Sequence, residues 1–497
     1  MSTESTYAVF LTHIKQTTAL SQVAGLLSWD QEVMMPEKGA DARAEQLSVL
    51  ARTLHEKQTD PRLGDLLGEL EEGSLDSVSR QNVALARRDF DRTSKVPTDL
   101  AAELARTRSL AHRSWAKARA DSNFAAFAPS LESIVHLKRE EADCIADSGQ
   151  SPYDALLSDF EPGMDVATLE PLLEGMRPRL MALRQNIAEN CGDQPHLDGP
   201  FDHQSQMDLA RTVATGLGYD WQAGRLDLST HPFSSGTGGD SRITTRVDEA
   251  DPLGCLYSTI HEVGHALYEQ GLPRDHSLTP VGQHVSMGVH ESQSRLWENQ
   301  VGRSRAYVGW LAPRFAEAFP HTKNSADPDT LYRVINRVET GFVRTESDEV
   351  HYNLHILLRF ELERDLIAGD LEVADLEAEW NRRFENYFGL AVPNAALGVL
   401  QDVHWSEGLF GYFPTYSLGN IYAAQLDQAL RRQLSNIDGA IEKGETGQIL
   451  DWLRHNIHQK GSSHPPEKII EDAVGEPVSS DPLLDYLEAK YADLFGF

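Results

Sequence analysis

The sequence has 497 residues, of which 40% are hydrophobic and 24% are charged, so the chain has enough apolar side chains to bury a large core. Its 45 Lys and Arg residues against 76 Asp and Glu residues give a formal net charge of -31. This charge repels phosphate backbones and anionic lipid surfaces, which argues against nucleic acid and membrane partners.

The three cysteines, Cys144, Cys191 and Cys255, are far apart and form no CxxC pair, which is typical of a reducing compartment. The N-terminal segment lacks the features of a signal peptide, and no stretch approaches the roughly 18 uninterrupted apolar residues of a membrane helix. We therefore expect a soluble, cytoplasmic protein. No linker rich in Pro, Gly or Ser divides the chain, so we expect residues 1–497 to form one large body with lobes.

Most segments carry apolar residues three and four positions apart, which is the spacing of an amphipathic helix. Leu47, Leu50 and Leu54 are an early example. Polar turns that contain Gly and Pro, such as residues 195–200 and 461–466, separate these segments. The sequence therefore predicts a mainly α fold.

Residues 234–247 differ from this helical pattern. The run SSGTGG at 234–239 predicts a mobile loop, because the Lys-Ser or Lys-Thr pair of a phosphate-binding loop does not follow it. The segment SRITTRV at 241–247 is rich in β-branched residues and alternates in character, which predicts a β-strand.

The segment HEVGH at 261–265 lies in a predicted helix, since apolar residues flank it at helical spacing. His261 and His265 are four residues apart and so share one helix face, where both imidazoles can bind one metal ion. Glu262 lies beside that face and can accept a proton from a water on the ion. The alternative is a chance HExxH in a helix that contains histidines.

A polar cluster, HESQ at 290–293, follows in another predicted helix and offers Glu291 as the third ligand. Two histidines and one glutamate leave the fourth coordination position open, as in catalytic zinc sites. We expect one divalent ion per chain; zinc is the default, although cobalt or manganese would accept the same groups. Such an ion with a nearby carboxylate suits peptide-bond hydrolysis. Without HEVGH, Glu291 would be better explained as a solvated helix residue.

Together these residues resemble the carboxypeptidase Taq family of metallocarboxypeptidases, and the resemblance extends over most of the chain. Further family-like strings occur in the family's order and spacing, namely SWDQEVMMP at 28–36, YDALLSDFEPGM at 153–164, HPF at 231–233, DSRIT at 240–244, GVLQDVHW at 398–405 and FGYFPTYSLGN at 410–420.

The resemblance implies a single domain, 1–497, in which two helical lobes surround a deep active-site groove with a small β-sheet beside the metal. It also implies a homodimer that removes single residues from the C-termini of peptides, so that the partners are peptides with a free C-terminal carboxylate. The metal ligands and the base that it implies, His261, His265, Glu291 and Glu262, are those that the spacing indicates.

An enzyme that acts at a carboxyl end needs a cation to hold that carboxylate, and a guanidinium can do so with two parallel hydrogen bonds. Arg344 lies in VRTESD at 343–348, which resembles the family's pattern of an aliphatic residue, Arg, two variable positions and Ala-Asp, with Ser347 in place of Ala. We expect Arg344 to bind the substrate carboxylate. The alternative is a structural ion pair with Glu346 or Asp348.

Four residues near the end of the resemblance are further candidates. His404 and Gln401 in QDVHW could donate hydrogen bonds to the substrate or to the oxyanion, although a core role also explains His404. Tyr412 and Tyr416 could stabilise the same oxyanion or serve as packing residues, and the sequence does not choose between them.

His231 and Arg242 belong to the predicted loop and strand, which could pair with an extended substrate backbone. The alternative for Arg242 is a buried ion pair with Asp240 that braces the fold.

The leading functional hypothesis is a metal-dependent carboxypeptidase of broad specificity, since nothing in the sequence defines a side-chain pocket. One alternative is a dipeptidyl carboxypeptidase or oligopeptidase on a similar helical scaffold. Another is a non-catalytic scaffold with a structural metal, against which the intact Glu262 argues.

Overall fold

The computed structural model describes residues 2–323 and 327–497, and within these ranges it confirms the mainly α fold. Before the sheet the chain forms nine helices: α1 (Thr3–Val33), α2 (Ala40–Gln58), α3 (Pro61–Glu71), α4 (Ser77–Lys95), α5 (Thr98–Ala120), α6 (Phe124–Ile145), α7 (Pro152–Leu157), α8 (Val166–Asn190) and α9 (His203–Leu217). Several begin at a side chain that accepts hydrogen bonds from N–H groups of the first turn, as Asp76 does from Val78 and Ser79.

Eleven helices follow the sheet within the described ranges: α10 (Pro252–Gly271), α11 (Met287–Arg295), α12 (Arg305–Ala318), α13 (Pro328–Ile335), α14 (Glu349–Ala368), α15 (Leu376–Phe388), α16 (Pro414–Gln433), α17 (Ile437–Ile441), α18 (Gly447–Asn456), α19 (Pro466–Val474) and α20 (Asp481–Phe495). A π-helical turn, Leu296–Val301, directly continues α11. Among the helices described, none combines the length and the apolar character needed to cross a membrane.

The hydrophobic core forms two clusters in the described residues. The larger cluster includes buried side chains from Ala111 to Leu494, and a small cluster joins α1, α3 and α4 around Phe10 and Leu67. The division of the chain into two lobes around a cleft stays a prediction.

The sheet has three strands, β1 (Leu226–Leu228), β2 (Ser234–Thr237) and β3 (Asp240–Thr245), in the order β1-β3-β2. Strand β1 pairs with β3 in parallel, and β2 pairs with β3 antiparallel. The predicted strand is thus present, two residues shorter at its C-terminal end than expected.

The predicted mobile loop is wrong for its first four residues, because these form strand β2 of the hairpin. Gly236 explains why the run contains glycine: its φ is 107°, and a Cβ there would lie 1.8 Å from the carbonyl oxygen of Asp240. Glycine therefore serves a close strand pairing here, where the sequence pattern indicated flexibility.

Strand β3 packs on α10, the helix that contains HEVGH. Ile243 is fully buried, and the Thr245 hydroxyl donates a hydrogen bond to the carbonyl oxygen of Cys255 at 3.0 Å. The sheet is thereby fixed against the helix that carries the two predicted histidine ligands.

Helix α11 lies between α10 and α16 and packs closely on both. Gly264, in the middle of HEVGH, permits the contact with α11: a Cβ there would lie 2.5 Å from Cα of Ser294 and 2.7 Å from the carbonyl oxygen of Gln293. This close approach brings the side chains of α10 and α11 together at one place.

We expect the substitution Gly264→Ala to lower the free energy of unfolding by about 1–3 kcal/mol or more, because the added methyl meets backbone atoms that cannot rotate away. Denaturant unfolding of the two proteins measures the difference. Gly175→Ala in α8 is the matched control, since a Cβ there meets nothing within 4 Å and Ala favours a helix by about 0.5–1 kcal/mol. Equal stability of the Gly264→Ala variant and the wild type would contradict the packing described.

Candidate metal centre

Three candidate ligands converge where α10 and α11 meet. Nε2 of His265 lies 3.4 Å, and Nε2 of His261 3.7 Å, from Oε2 of Glu291. The candidate ligand atoms of these residues all lie within 4.8 Å of one another. Two donors that bind one zinc ion tetrahedrally at about 2.1 Å are about 3.4 Å apart, so both the donor types and their spacing fit a zinc-like ion.

Hydrogen bonds hold His261 and Glu291 in these orientations. Nδ1 of His261 lies 2.9 Å from Oε2 of Glu298, on the π-helical turn that follows α11. Arg295 donates from Nε to Glu291 at 2.7 Å and from Nη1 to Glu298 at 3.1 Å. With the His261 proton held at Nδ1 by a carboxylate, the lone pair of Nε2 is directed at the ligand cluster.

His265 is oriented by a second imidazole. Its Nδ1 shares a hydrogen bond of 2.6 Å with Nδ1 of His290, whose Nε2 lies 3.1 Å from Oε1 of Glu269. Burial lowers the pKa of His265 to about 3, so the ring is neutral and suited to metal binding.

The electrostatics keep Glu291 ionised although it is only 5% exposed. Burial raises the pKa of a carboxyl group, but the positive charge of Arg295, together with the His261 and His265 rings beside the carboxylate, overcomes this effect and holds the pKa of Glu291 well below its usual value. A charged carboxylate beside two imidazoles is the form that a divalent cation requires.

Glu262 is next to the ligand cluster but does not belong to it. Its side chain is buried, and no hydrogen bond to its carboxylate occurs in residues 2–323 and 327–497. Burial raises the pKa of Glu262 to about 7, with Glu291 adding to the rise and His261 opposing it. A carboxylate of this kind can accept and return a proton near neutral pH.

Arg344 is buried and forms an ion pair with Asp402, not with the Glu346 or Asp348 that the sequence offered as alternatives. Its Nε and Nη2 donate to Oδ1 of Asp402 at 3.0 and 2.9 Å, and its Nη1 donates to the hydroxyl of Tyr352 at 3.0 Å. Arg359 donates to the other oxygen of Asp402 at 2.7 Å. Two guanidiniums thus share one carboxylate, which leaves one positive charge in excess.

Tyr352 joins this charged group to the ligand cluster. The guanidinium of Arg295, which donates to Glu291, lies 4.3 Å from the ring centroid of Tyr352, whose hydroxyl accepts from Arg344. The predicted carboxylate-binding arginine and the predicted metal ligands are therefore linked through one aromatic side chain.

The side-chain amide of Gln401 forms hydrogen bonds to backbone groups through both its oxygen and its nitrogen. Its Oε1 accepts a hydrogen bond of 2.9 Å from the backbone N–H of Arg344, and its Nε2 donates to the carbonyl oxygens of Phe342, Leu397 and Gly398. The side chain thereby fixes the segment that carries Arg344.

His404, Tyr412 and Tyr416 form one aromatic group. Nε2 of His404 lies 3.1 Å from the hydroxyl of Tyr416, and the ring centroids of Tyr412 and Tyr416 are 5.4 Å apart. The Arg344 guanidinium lies 4.8 Å from the Tyr416 ring centroid. Burial, with Glu291 nearby, raises the pKa of Tyr412 to about 12, so its phenol keeps its proton at neutral pH.

His231 and Arg242 lie at the hairpin. His231 is exposed in the segment before β2. Arg242 makes a bidentate ion pair with Asp240 at 2.7 and 2.8 Å and lies 4.3 Å from the ring centroid of Trp29. The predicted partner of Arg242, Asp240, is thus the one observed, but the prediction that the pair is buried is wrong, since the Asp240 side chain is 57% exposed.

A model of the family described as Carboxypeptidase Taq (M32) metallopeptidase matches residues 9–491. The chain belongs to this family. Thermostable carboxypeptidase 1 of Thermus thermophilus is 41% identical to it, with 100% of both sequences covered. Carboxypeptidase 1 of Bacillus subtilis is 35% identical over 98% of each sequence. The crystal structure of the M32 carboxypeptidase from Deinococcus radiodurans R1 has a TM-score of 0.96 at 35% identity and covers 99% of this chain and 100% of that one.

The family resemblance found in the sequence is confirmed, and this M32 peptidase is a metallocarboxypeptidase, that is, a metal-dependent peptide hydrolase. The structure brings the three candidate ligands together and places Glu262 beside them.

Sequence reasoning assigned no role to several groups in this M32 peptidase. Asp402 lies inside the family-like string GVLQDVHW, and this motif is the sequence feature that could have indicated a role for it. Arg295 and Glu298 follow HESQ by a few residues, where no motif marks them, and Arg359 lies in a leucine-rich helix where nothing local indicates a buried ion pair. Their roles depend on contacts between distant segments.

Proposed function

We propose that this M32 peptidase binds one zinc ion through His261, His265 and Glu291 and removes single residues from the C-termini of peptides with broad specificity. The observation that carries the proposal is the convergence of these side chains with Glu262 beside them and outside the ligand set. A purely structural metal site does not need an unliganded carboxylate beside the ion, so the presence of Glu262 argues against a non-catalytic scaffold.

Each residue of the cluster has a role in the proposed reaction. The ion, when bound, would supply a Lewis acid that polarises the scissile carbonyl and lowers the pKa of a water. Glu262 acts as the general base, since it is buried beside the ligands with a pKa raised to about 7. It takes the proton of the attacking water and returns it to the leaving amine.

The excess positive charge around Arg344 supports recognition of a C-terminal carboxylate. A guanidinium has five N–H donors, and Arg344 directs three of them to Asp402 and Tyr352, so two are left for a substrate. A substrate carboxylate would neutralise the excess charge of the group formed by Arg344, Arg359 and Asp402. Gln401 has a positioning role, because its amide holds the backbone of Arg344.

The aromatic group supplies the remaining donors. Tyr412 keeps its proton at neutral pH, so its phenol can donate to the oxyanion of the substrate. Burial lowers the pKa of His404 to about 3, so its neutral ring serves to orient Tyr416 through their hydrogen bond. We assign His231 to the substrate face of the hairpin and Arg242 to bracing the hairpin against Trp29.

We expect a free C-terminal carboxylate to raise kcat/KM about 100-fold over the matching peptide amide, since a charged hydrogen bond contributes about 1.5–3 kcal/mol. In the variant Arg344→Lys this ratio should fall from about 100-fold to about tenfold, because the two parallel hydrogen bonds of the planar guanidinium are lost while the charge is kept. The measurement is hydrolysis of a blocked dipeptide and its amide.

Arg382→Lys, on the exposed face of α15, is the matched control and should keep the full ratio. Unchanged discrimination in Arg344→Lys would exclude Arg344 as the carboxylate-binding residue. Mass spectrometry of a digested peptide distinguishes the remaining alternative: a ladder of single residues supports the proposal, and steps of two residues support a dipeptidyl carboxypeptidase.

We expect the substitution His265→Ala to lower the metal content of the zinc-saturated protein by one ion per chain, because the three-ligand site loses an imidazole. Elemental analysis of the purified protein measures the content and identifies the ion. The control His203→Ala removes an exposed imidazole and should retain the metal. Full metal content in His265→Ala would remove this residue from the ligand set.

The proposal includes three further properties. The bound ion is zinc rather than cobalt or manganese, the protein is a homodimer, and it is located in the cytoplasm. The three cysteines are free, and Cys255 is buried, which is consistent with a reducing compartment. Elemental analysis addresses the metal, and light scattering of the full chain addresses the dimer.

A further inference from the structure

A second cluster of metal-binding side chains lies next to the first. Glu269 follows His265 by one helical turn on α10, His290 precedes Glu291 on α11, and His284 lies in the segment before α11. Nδ1 of His284 and Nε2 of His290 are 2.9 and 3.1 Å from the same oxygen, Oε1 of Glu269. Candidate ligand atoms of the three residues all lie within 4.8 Å of one another.

We propose that Glu269, His284 and His290 form a second site for a divalent transition-metal ion, which competes with the catalytic site through the hydrogen bond between His265 and His290. The ligand types are the same as in the first cluster, two imidazoles and one carboxylate. Zinc, cobalt, nickel and copper ions all accept this set, whereas calcium and magnesium prefer oxygen ligands.

The second cluster is reachable from the protein surface. The side chains of Glu269 and His290 are 8% and 13% exposed, and that of His284 is 40% exposed. Glu269 also lines a cavity of about 470 Å³, together with Gly238 and Gly239 at the hairpin turn and with Gln283. An ion can therefore reach Glu269 and His290 past the partly exposed His284.

The competition follows from the hydrogen bond of 2.6 Å between Nδ1 of His265 and Nδ1 of His290, which holds one proton. For His265 to bind an ion through Nε2, the shared proton must stay on its own Nδ1, and His290 then carries a proton on Nε2, facing Glu269. For His290 to bind an ion through Nε2, the shared proton must move to His290, and His265 then carries its proton on Nε2.

The two sites therefore need opposite tautomers of the same histidine pair. Both can be filled only if the hydrogen bond between the two rings is broken and each ring keeps its proton on Nδ1, which costs free energy because two N–H donors then face each other. Coupling of this kind is reciprocal: an ion in either site weakens binding at the other by the same factor, typically about 5- to 150-fold.

Binding is tested first, without reference to activity. The metal-free full chain is titrated with Zn²⁺ alone by calorimetry, for the wild type, His284→Ala, His261→Ala and the double variant. We expect the wild type to bind two ions, His284→Ala and His261→Ala to bind one ion each, and the double variant to bind none. The second ion should bind at least about tenfold more tightly to His261→Ala than to the zinc-loaded wild type, since no ion then competes for the shared proton.

His136→Ala on α6 is the matched control, because it removes an imidazole that is 71% exposed, and it should bind two ions. The alternative is that no ion binds and that His284 and His290 each donate an N–H hydrogen bond to Oε1 of Glu269, which would also give the observed distances. In that case the wild type would bind one ion and His261→Ala none, and the second site would be disproved. Equal affinities in the loaded wild type and in His261→Ala would disprove the competition.

The second part of the test measures peptidase activity and therefore rests on the proposed function. Zn²⁺ at concentrations that fill the second site should lower peptidase activity of the wild type, whereas His284→Ala should keep both its basal activity and its activity in excess Zn²⁺. Equal inhibition of the two proteins would overturn the competition. A chain without any carboxypeptidase activity would overturn the proposed function alone, since calorimetry still reports the second ion.

Discussion

The substitution Glu262→Gln should reduce kcat for C-terminal hydrolysis by about 10²–10⁴-fold, the usual contribution of a general base. Gln has nearly the shape of Glu but cannot accept a proton at neutral pH. Because Glu262 is not among the converging ligand atoms, the metal content should stay near that of the wild type. Steady-state kinetics and elemental analysis of the same preparation measure both quantities.

The variant should fold at least as well as the wild type. Glu262 is buried with a pKa raised to about 7, so an uncharged side chain relieves the desolvation of the ionised form. Glu385→Gln, on the exposed face of α15, is the matched control and should be fully active. Activity of Glu262→Gln within about tenfold of the wild type would exclude Glu262 as the base.

The local parts of the fold and site were predictable from the sequence. Helical spacing reflects contacts three and four residues apart, so the mainly α fold could be predicted from neighbouring residues. The pair His261 and His265 is predictable for the same reason, since one helical turn joins them. Glu291 was assigned from its motif, and its place depends on the tight packing of α11 against α10 at Gly264.

The ion-pair partners of charged residues were harder to predict from the sequence. The sequence offered Glu346 and Asp348 for Arg344 because they are close in the chain, yet the partner is Asp402, 58 residues away. Ion pairs in a buried pocket are selected by the packing of whole elements, which a local pattern does not contain. Arg242 was predictable because its partner, Asp240, is on the same face of the same strand.

The hairpin shows the same limit for backbone structure. Residues 234–237 contain Gly, which disfavours strands, and belong to a run rich in Ser and Gly, so they predict a loop when considered alone. They form β2 because the hydrogen-bonding edge of β3 is available, with Ser235 opposite Arg242. Tertiary contact overrides the local preference here.

The substitution Gly419→Ala should lower metal affinity by about 10- to 100-fold and reduce activity in parallel, although it changes no ligand. Helix α16 crosses α11 at Gly419, where a Cβ would lie 2.4 Å from Cγ and 2.6 Å from Cβ of Glu291. The added methyl would push the Glu291 side chain away from His261 and His265. Competition with a metal-binding dye measures the affinity, and assays at rising Zn²⁺ measure the activity.

Gly309→Ala in α12 is the matched control, because a Cβ there meets nothing within 4 Å. It should leave metal affinity unchanged and slightly raise stability, since Ala favours a helix over Gly by about 0.5–1 kcal/mol. Gly419→Ala should cost about 1–3 kcal/mol of stability or more through overpacking, because the methyl also approaches Cβ and the backbone carbonyl carbon of Glu291, which move only with helix α11. Wild-type metal affinity in a folded Gly419→Ala variant would mean that Glu291 does not hold the ion.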